Sequence, residues 1–332
     1  MYNASEKWAV FYDRMASKAK SLVDPATGTL SEKYSETAPC PSCGSGSFSS
    51  RFIKNGFRYV TCNACELVYI NPQLTQDALA LAYNDEELRS FFMNEILLSS
   101  GESGQRKEFE KRTRRVSSLV TRSNPRLLDV GCAAGNFMMI AKEKGFTVEG
   151  LELDELYVDH AVKKRGLKVH KATLHEMHYP EGSFDAVTMW DILEHLPKPM
   201  DTLSEVSRIL APGGVLALTT INHACINQRI LGDRWRYWMP PDHICSFTPK
   251  VLEQMLNKAD FSVVSVKHTY MFEVLEENYF PFLSLSPSKN LMLRLSNKSK
   301  KIACVAVSKA TQLVFETLKS GDIITVIARK HT

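Results

Sequence analysis

The chain has 332 residues, of which 44% are hydrophobic and 23% are charged, with eight cysteines and a formal net charge of +4. At about 150 residues per domain, this length predicts two domains, or one large domain with a small attachment. The average composition excludes a disordered or fibrous chain, no stretch matches the ~18 apolar residues of a membrane span, and the small surplus of charge argues against a nucleic-acid binder.

The N-terminus predicts an amphipathic helix over residues 5–22, within an N-terminal helical segment over 1–38. Its apolar residues recur at helical spacing: Trp8, Phe11, Tyr12, Met15, Ala19 and Leu22. This stripe favours docking on the chain's own core or contact with a second copy in a homodimer. The segment has no apolar core ending in small residues, so it does not resemble a secretory signal. We therefore expect a cytoplasmic protein, whose cysteines are thiols or metal ligands.

Half of the cysteines form two close pairs, Cys40-Pro-Ser-Cys43 and Cys62-Asn-Ala-Cys65. Each pair forms a turn that directs two sulfur atoms to one point, and four thiolates can surround a zinc ion tetrahedrally. A redox pair is the alternative, but it needs only one such motif in a βαβ context. We predict a structural Zn²⁺ site with these four ligands and no open position for catalysis.

The segment between the pairs predicts a hairpin, with strands over 51–54 and 57–61 around Asn55-Gly56. The whole zinc ribbon is predicted over 39–72. The other four cysteines are scattered, and we expect small buried hydrophobic residues at these positions: Cys132, Cys225, Cys245 and Cys304.

Residues 73–125 predict a helical linker that is basic towards its end. From Gln105 to Arg126, eight Lys or Arg accompany two Glu, while Phe109 and Val116 belong to an apolar helical face. Two interpretations stay open: a solvated helix face, or a basic patch that steers an anionic substrate.

From residue 126 the pattern alternates between strands and helices. Strands are predicted within 126–130, 146–151, 187–189, 215–220, 261–266 and 323–328, and helices over 136–144, 155–164, 201–210 and 249–258. Thr248 and Pro249 are typical of an N-cap and a first helical position. This alternation predicts an α/β, doubly wound, mostly parallel sheet, whose ligands bind at the carboxyl ends of the strands.

The first predicted strand runs into a loop of small residues, Gly131-Cys132-Ala133-Ala134-Gly135. Small residues let the backbone pass close to a ligand, and the helix that follows presents free amides. The glycine spacing differs from that of a dinucleotide site, because the sixth position is Asn136. An acid at the end of the next strand, Glu152, can accept both ribose hydroxyls of an adenosine.

Several motifs together resemble those of class I S-adenosylmethionine (SAM)-dependent methyltransferases. They are Asp129-x-Gly131-x-x-x-Gly135, Glu152, 183–187 (Ser-Phe-Asp-Ala-Val), 194–196 (Glu-His-Leu) and 210–214 (Leu-Ala-Pro-Gly-Gly). The resemblance covers residues 126–332, and it implies a Rossmann-like seven-stranded sheet with SAM as cofactor. The ribbon followed by 67–72 also resembles the module that a subset of these enzymes carries, the sugar and small-molecule methyltransferases. One departure is Ala133, where the family usually has glycine.

The resemblance also implies roles for individual residues. The loop from Gly131 to Gly135 would line the methionine part of SAM, and Asp129 would help to hold its amino group. Glu152 would take the ribose hydroxyls, and Leu153 would lie against the adenine. The remaining implied cofactor contacts are Cys132, Ala133, Asn136, Phe137, Thr173, Leu174 and Asp191. Asp191 would also face the sulfonium and the acceptor, although helix capping is an alternative role for Asp191 and Glu194.

Methyl transfer to a hydroxyl or a carbon acid also needs a base, and a histidine suits that task. Three histidines are candidates: His195 and His223 follow strands, and His243 lies in Pro240-Pro241-Asp242-His243. Any of them can equally be structural. The sequence 191–194 lacks the Asn/Asp-Pro-Pro-aromatic turn that is typical of enzymes acting on base amino groups.

Two insertions are predicted to shape the acceptor site. The first, over 222–247, contains arginine and aromatic residues that could grip a phosphate and stack on a ring: Arg229, Arg234, Trp235, Arg236, Tyr237 and Trp238. A surface loop pinned by tryptophan packing is the alternative. The second, over 270–320, could be a lid, a dimer contact or a membrane-surface element.

These features predict a methyltransferase that acts on a hydroxyl or carbon of a saccharide, a nucleotide-sugar or a similar small metabolite. Two other functions stay open: an RNA methyltransferase that grips RNA through its ribbon, and a non-catalytic SAM-binding adaptor. Three basic residues between Cys40 and Cys65 are few for an RNA grip, so nucleic acid is not the expected partner.

Overall fold

The N-terminal part of the chain forms a helix followed by a small β-module. The computed structural model describes residues 4–83, 85–98, 102–269 and 317–332. Helix α1 spans Ala4–Ser21, and five strands follow: β1 (Ser35–Glu36), β2 (Phe48–Lys54), β3 (Phe57–Cys62), β4 (Val68–Ile70) and β5 (Gln73–Leu74). The predicted hairpin is confirmed, since β2 and β3 pair antiparallel around Asn55-Gly56, and both strands are longer than predicted. Both turn residues have positive φ, 49° and 84°, as a tight hairpin turn requires.

The segment after this module is helical. It contains α2 (Gln76–Tyr83), α3 (Glu86–Phe91), a π-helical turn (Phe92–Leu97) and α4 (Glu102–Ser117). Helix α1 packs against α3 and the π-helical turn through a cluster that we call the aromatic cap. The aromatic cap consists of Trp8, Phe11, Tyr12, Met15, Leu88, Phe91, Phe92, Ile96 and Met239. The apolar stripe of α1 is therefore covered by the chain itself.

The strands after residue 126 form the predicted seven-stranded sheet, and one of them is short and was not predicted. They are β6 (Arg126–Val130), β7 (Thr147–Glu152), β8 (Val169–Lys171), β9 (Phe184–Trp190), β10 (Leu210–Ile221), β12 (Phe261–Thr269) and β13 (Ile323–Lys330). The strand order is β12-β13-β10-β9-β6-β7-β8. Only β13 runs antiparallel to its neighbours, so the fold is Rossmann-like and mostly parallel. The unpredicted strand is β8, whose three residues are too few for a period-two pattern.

The connecting helices cover both faces of this sheet. They are α5 (Asn136–Glu143), α6 (Glu155–Asp159), α7 (Pro199–Ile209), α8 (Ile226–Leu231) and α9 (Pro249–Lys258), and strand β11 (Cys245–Ser246) lies between the last two. The helix predicted over 155–164 changes to π-helical turns at His160–Lys164. Thr248 is the N-cap of α9, because its hydroxyl accepts a hydrogen bond from the N–H of Val251 at 3.2 Å.

Strand β11 joins the first insertion to the N-terminal module. It pairs antiparallel with β4, and this gives a four-stranded sheet of order β11-β4-β3-β2. Trp235 and Trp238 are fully buried at this junction, and the Trp238 ring lies 5.0 Å from the rings of Phe52 and Tyr59. Segment 222–247 is therefore built into the core between the two modules.

Several basic side chains of the segment 105–126 form ion pairs with acidic side chains. Arg106 contacts Glu110 and Glu143, while Arg122 and Arg126 both contact Asp185. These pairs favour the interpretation of a solvated, ion-paired face over that of an anion-steering patch.

The second insertion lies almost entirely outside the described residues, as does Cys304. The other three scattered cysteines are buried, as predicted. Among the described residues, no helix combines the length and the apolar character that crossing a membrane requires.

Trp238→Ala should lower the free energy of unfolding by about 3–5 kcal/mol, because it leaves a cavity between the two modules. Urea unfolding followed by far-UV circular dichroism would measure this loss. The matched control is Ile53→Ala on β2, whose side chain is 53% exposed and whose loss should cost less than about 1 kcal/mol. Equal effects of the two substitutions would contradict a core role for Trp238.

Candidate active site

The loops that follow β6, β7 and β9 meet at the carboxyl edge of the sheet. In the first loop, Gly131 has φ of 71° and Gly135 has φ of 76°. A Cβ atom at Gly131 would lie 2.0 Å from Cδ1 of Ile192, which belongs to the loop after β9. Because Gly131 has no side chain, Ile192 packs directly against the backbone of the first loop, and the positive φ at Gly131 also favours glycine.

Ala133 in the same loop also has positive φ, 45°. An alanine in this conformation costs about 1 kcal/mol more than a glycine. Its N–H donates a hydrogen bond to Oε2 of Glu152 at 2.9 Å, which ties the loop to the end of β7. Ala133 therefore departs from the family pattern in its side chain only, since its backbone conformation is one that glycine favours.

Glu152 is held by three backbone donors. Besides Ala133, the N–H groups of Leu153 and Asp154 donate to its Oε1 at 2.7 and 2.9 Å. Burial raises the pKa of the Glu152 carboxyl, and the hydrogen bonds from the backbone partly oppose this shift. The carboxylate is thus fixed in direction, and the side chain of Leu153 beside it is 62% exposed.

Asp129 and Phe137 point into the protein. The carboxylate of Asp129 is buried and accepts a hydrogen bond from the hydroxyl of Thr188 at 2.6 Å. Burial raises the pKa of Asp129 to about 7. Phe137 is buried against Trp190, with ring centroids 5.1 Å apart. Cys132 is also buried, and Asn136 donates to the carbonyl of Leu97 at 3.4 Å.

The segment after β8 forms a small turn beside this edge. The N–H and hydroxyl of Thr173 both donate to Oε2 of Glu176 at 2.7 Å, and Leu174 is buried. Glu176 was not singled out from the sequence, although it lies only three residues after Thr173, in the segment where the resemblance implies cofactor contacts.

Asp191 follows β9 in a strained conformation, with φ of 55°. The hydroxyl of Thr219 donates to Oδ1 of Asp191 at 2.8 Å, and the N–H of Asp191 donates back to this hydroxyl at 2.9 Å. Strain of about 1–3 kcal/mol at a non-glycine residue persists only where neighbours over-determine it, and such residues cluster at functional sites.

His195 is oriented by Asp242. Its Nδ1–H donates to the carbonyl and to Oδ1 of Asp242, at 3.0 and 3.1 Å. Burial opposes a charge on this ring, but the carboxylates of Asp242 and Glu194 outweigh burial and raise the pKa of His195 to about 10. His195 is therefore an imidazolium at neutral pH.

His243 lies against His195, with ring centroids 4.9 Å apart at an angle of 73°. Burial and the charge of His195 lower the pKa of His243 to about 4, so this ring is neutral. Its Nδ1 lies 2.8 Å from the carbonyl of Tyr237. A carbonyl can only accept, so Nδ1 carries the proton and Nε2 presents the lone pair.

His223 belongs to a different environment. Its ring stacks on Trp238 with centroids 6.2 Å apart, and its backbone N–H donates to Phe247. Burial, with a contribution from Arg51, lowers the pKa of His223 to about 3. The structure brings His195 and His243 together and leaves His223 at the junction of the two modules.

Glu194 is buried and accepts a hydrogen bond from the hydroxyl of Thr220 at 2.8 Å. One ligand atom each of Glu194, His195 and His243 lies within 4.8 Å of the others, a spacing that could hold a metal ion. The bond from Nδ1–H of His195 to Asp242 orients this ring and leaves Nε2 as its second functional nitrogen. This arrangement is also suited to proton transfer.

The four cysteines predicted to bind zinc converge at the base of the β2–β3 hairpin. The Sγ atoms of Cys40 and Cys65 lie 3.5 Å apart, as do those of Cys43 and Cys62, and all four lie within 4.8 Å of one another. Tetrahedral zinc with Zn–S bonds of 2.3 Å places sulfur atoms about 3.8 Å apart. The residues present thus fit a zinc ion in number, chemistry and spacing.

The structure places the residues predicted to bind an acceptor in different surroundings. Arg229 and Arg234 are exposed, and the guanidinium of Arg236 lies 4.5 Å from the centre of the Tyr12 ring in the aromatic cap. The indole N–H of Trp235 donates to Asp322 at 2.8 Å and that of Trp238 to Gly232 at 3.0 Å. The prediction that these two indoles stack on an acceptor does not agree with their burial, and the tryptophan-packing alternative describes them correctly.

The sequence reasoning also missed Asp242, the residue that orients His195. The only sequence feature that pointed to Asp242 was its position next to His243. Its contact with His195 joins residues 47 positions apart, and it forms only because the loop that carries Asp242 returns over the edge of the sheet. The aromatic cap was likewise not predicted to reach this edge. Helix α3, which contributes Leu88 and Phe91 to the cap, also carries Arg89. The Arg89 guanidinium pairs with Asp154 at 3.3 Å, and the Arg89 carbonyl accepts a hydrogen bond from the Tyr157 hydroxyl at 3.3 Å.

Comparison with known proteins confirms the resemblance that the motifs predicted. Residues 103–266 match the model of a family described as "Methyltransferase domain". The ubiquinone biosynthesis O-methyltransferase of Dechloromonas aromatica is 32% identical over 113 residues, which cover 32% of this chain and 49% of that protein. Its namesake from Shewanella halifaxensis is 30% identical over 146 residues, which cover 40% of this chain and 62% of that protein. The chain thus spans about half of the length of the first relative and less than two thirds of the second.

Solved structures with a similar fold have low identity. A SAM-dependent methyltransferase from Archaeoglobus fulgidus is 20% identical, with a TM-score of 0.48, and the match covers 71% of this chain and 100% of that one. A SAM-dependent methyltransferase from Mesorhizobium loti is also 20% identical, with a TM-score of 0.45 over 66% and 96% of the two chains. At such identities the likeness adds nothing about activity.

Asp242→Asn should lower the pKa of His195 from about 10 towards the ordinary ~6.5, because the amide keeps the shape but not the charge. Histidine ring signals followed by NMR as a function of pH would measure this shift. Glu205→Gln is the control, since Glu205 pairs with Arg208 on α7 instead. A His195 pKa that stays above 9 in Asp242→Asn would contradict the assigned cause.

Proposed function

We propose that this chain, which contains a class I SAM-dependent methyltransferase domain, transfers the methyl group of SAM to a hydroxyl of a small-molecule acceptor. The observation that carries the proposal is the meeting of three elements at one edge of the sheet. These are the glycine loop after β6, the fixed carboxylate of Glu152, and the His195–His243 pair beside Asp191.

SAM fits the first two elements. The loop from Gly131 to Gly135 would hold its methionine part, Glu152 would accept both ribose hydroxyls, and the exposed side chain of Leu153 would cover the adenine. The predicted contacts at Thr173, Leu174 and Asp191 complete the cofactor site. Asp129 would act from below the loop, since its carboxylate is occupied by Thr188. When bound, SAM supplies a methyl group that is already activated for in-line displacement.

The histidine pair supplies what an acceptor hydroxyl needs. His243 is neutral, and its Nε2 would take the proton of the hydroxyl. The imidazolium of His195 would stabilise the negative charge that develops on the acceptor oxygen. The carboxylates of Asp191, Asp242 and Glu194 would balance the positive charge of the imidazolium. Asp242 orients the His195 ring, and the Tyr237 carbonyl orients that of His243. The protein otherwise has only to hold the oxygen in line with the methyl group.

An oxygen acceptor is favoured because the curated relatives are named O-methyltransferases. A saccharide or nucleotide-sugar acceptor is supported only by Arg229 and Arg234, which stay exposed. An RNA acceptor is disfavoured, because the basic residues of the ribbon already make internal contacts. Lys54 donates to the carbonyl of Asp233 at 2.7 Å and Arg58 to that of Asn71 at 2.8 Å. A non-catalytic adaptor is disfavoured, because binding of SAM alone does not require a pair of histidines with opposite charge states.

We also propose that Cys40, Cys43, Cys62 and Cys65 bind one structural Zn²⁺. Four thiolates close the coordination sphere, so this ion would stabilise the ribbon and take no part in the chemistry. In this proposal the chain consists of an N-terminal helical segment (1–38), a zinc ribbon (39–72), a helical linker (73–125) and the methyltransferase domain (126–332).

Glu152→Gln should raise the Kd for SAM at least about 10-fold, since hydrogen bonds to a charged acceptor contribute roughly 1.5–3 kcal/mol. Isothermal titration calorimetry would measure the change. The control is Glu155→Gln at the start of α6, three residues away, whose carboxylate pairs with Lys171 at the surface. An unchanged Kd in a folded Glu152→Gln protein would rule out the ribose contact.

Incubation with methyl-labelled SAM and a panel of acceptors tests the function itself. The panel contains catechols, free monosaccharides, nucleotide-sugars and a short RNA, and we expect labelled product with at least one hydroxyl compound. His243→Ala should lower kcat at saturating SAM by at least ~100-fold. Activity should fall below pH about 4, where His243 is protonated, and above pH about 10, where His195 loses its proton.

His331→Ala is the matched control, because this histidine is exposed and pairs with Asp260, next to the start of β12. Product from RNA alone would favour the RNA methyltransferase. SAM binding without any product across the panel would favour the adaptor. A His243→Ala enzyme of normal kcat would show that histidine base catalysis is the wrong mechanism.

A further inference from the structure

We propose that the cysteine-rich module positions the active-site histidines, and that Tyr59 of β3 is the positioning residue through which it acts on His243. This inference rests on the proposed function for its meaning, but the contacts that carry it are independent of the acceptor. It gives the ribbon a task in catalysis without placing the metal in the reaction.

The first contact is a continuous backbone path from the ribbon to the active site. The N–H of Ile70, at the end of β4, donates to the carbonyl of Ile244 at 3.0 Å. The N–H of Ile244 in turn donates to the carbonyl of Glu194 at 2.8 Å. One residue next to His243 is thus bonded on one side to the ribbon and on the other to the residue before His195.

The second contact is the hydroxyl of Tyr59, which donates to the carbonyl of His243 at 3.2 Å in a fully buried position. Its ring is held between Phe52 and Trp238, with centroids 5.0 Å from each. The ring cannot turn away without opening the core, so the hydroxyl is a fixed donor. A buried carbonyl that loses its donor is costly, and the loop would move or admit water to satisfy it.

The cysteines control both strands that make these contacts. Cys62 is the last residue of β3, which carries Tyr59, and its N–H donates to the carbonyl of Leu67, directly before β4. Strand β4 in turn pairs with β11 at Tyr69↔Cys245 and Val68↔Ser246. A metal ion bound by the four cysteines would therefore fix β3 and β4 together, and with them the loop that carries Asp242 and His243.

Arrangement of this loop matters because the charge states of the two histidines depend on it. His243 faces the imidazolium of His195 and the carboxylates of Asp242 and Asp191. A displacement of about 1 Å in such a constellation can cost ~100-fold in rate. The ribbon would influence the reaction through this geometry, and the SAM contacts of the loops after β6 and β7, at Gly131–Gly135 and Glu152, would not depend on it.

Hydrogen exchange before and after zinc chelation tests the coupling in the full chain. We expect chelation to speed the exchange of amides in 242–247 at least about 10-fold, together with those of the ribbon. The amides of α5, most of whose buried residues belong to clusters without any residue of the ribbon, should exchange unchanged and provide the control. Faster exchange confined to 39–72 would overturn the proposal.

Tyr59→Phe tests the positioning residue, because it removes one hydroxyl and keeps the ring. We expect zinc content to stay near one ion per chain and the Kd for SAM to stay within about 2-fold. The pKa of His243 should rise from about 4 towards its ordinary value as the loop admits water, and kcat should fall about 10-fold. Tyr179→Phe is the matched control, because its hydroxyl bonds to Glu149 on β7, away from the ribbon.

A His243 titration identical in Tyr59→Phe and the unsubstituted protein would overturn the role of Tyr59. Hydrogen exchange and the His243 titration need no acceptor, so they decide the proposal even if the panel gives no product. Absence of methyl transfer by the unsubstituted protein would instead contradict the proposed function. The two failures are therefore distinguishable.

Discussion

The antiparallel pairing of β4 with β11 is the constraint on which the rest of the structure depends. It joins a strand of the cysteine-rich module to the loop that returns over the active site. Because a two-residue strand cannot hold a pairing by itself, the junction relies on the buried rings around it, above all Trp238. The result is that two strands separated by more than 170 residues pair in one sheet, and the two modules share one core.

The same junction explains the electrostatics of the site. The loop that returns over the carboxyl edge buries His243, leaves the His195 side chain 25% exposed, and hydrogen-bonds Asp242 to His195. Burial alone would make both rings neutral. The neighbouring carboxylate reverses the effect at His195, and the resulting cation deepens it at His243. Two residues of one type thus acquire opposite charges from their surroundings, which is how protein sites obtain an acid and a base at neutral pH.

Much of the fold was predictable from local patterns. The order of strands and helices after residue 126 follows from their alternation, and the hairpin around Asn55-Gly56 follows from its turn residues. The cysteine cluster follows from the spacing of two C-x-x-C pairs. Strands β8 and β11 were not predicted, because two or three residues carry no periodic signal. The π-helical turns were not predicted either, because helical spacing of apolar residues does not separate a π-helical turn from an α-helix. The tryptophans of 222–247 were ambiguous, since the same residues suit a binding loop and a core.

The sequence by itself determined the fold class, the cysteine cluster and the glycine loop with its partner Glu152. Each of these depends on residues close together in the chain, or on the rule that parallel strands present their carboxyl ends at one edge. Only the tertiary structure decided which histidines form a pair, that Asp242 orients one of them, and that Trp235 and Trp238 are core residues. These outcomes depend on contacts between distant segments, whose burial and charge no local pattern of residues encodes.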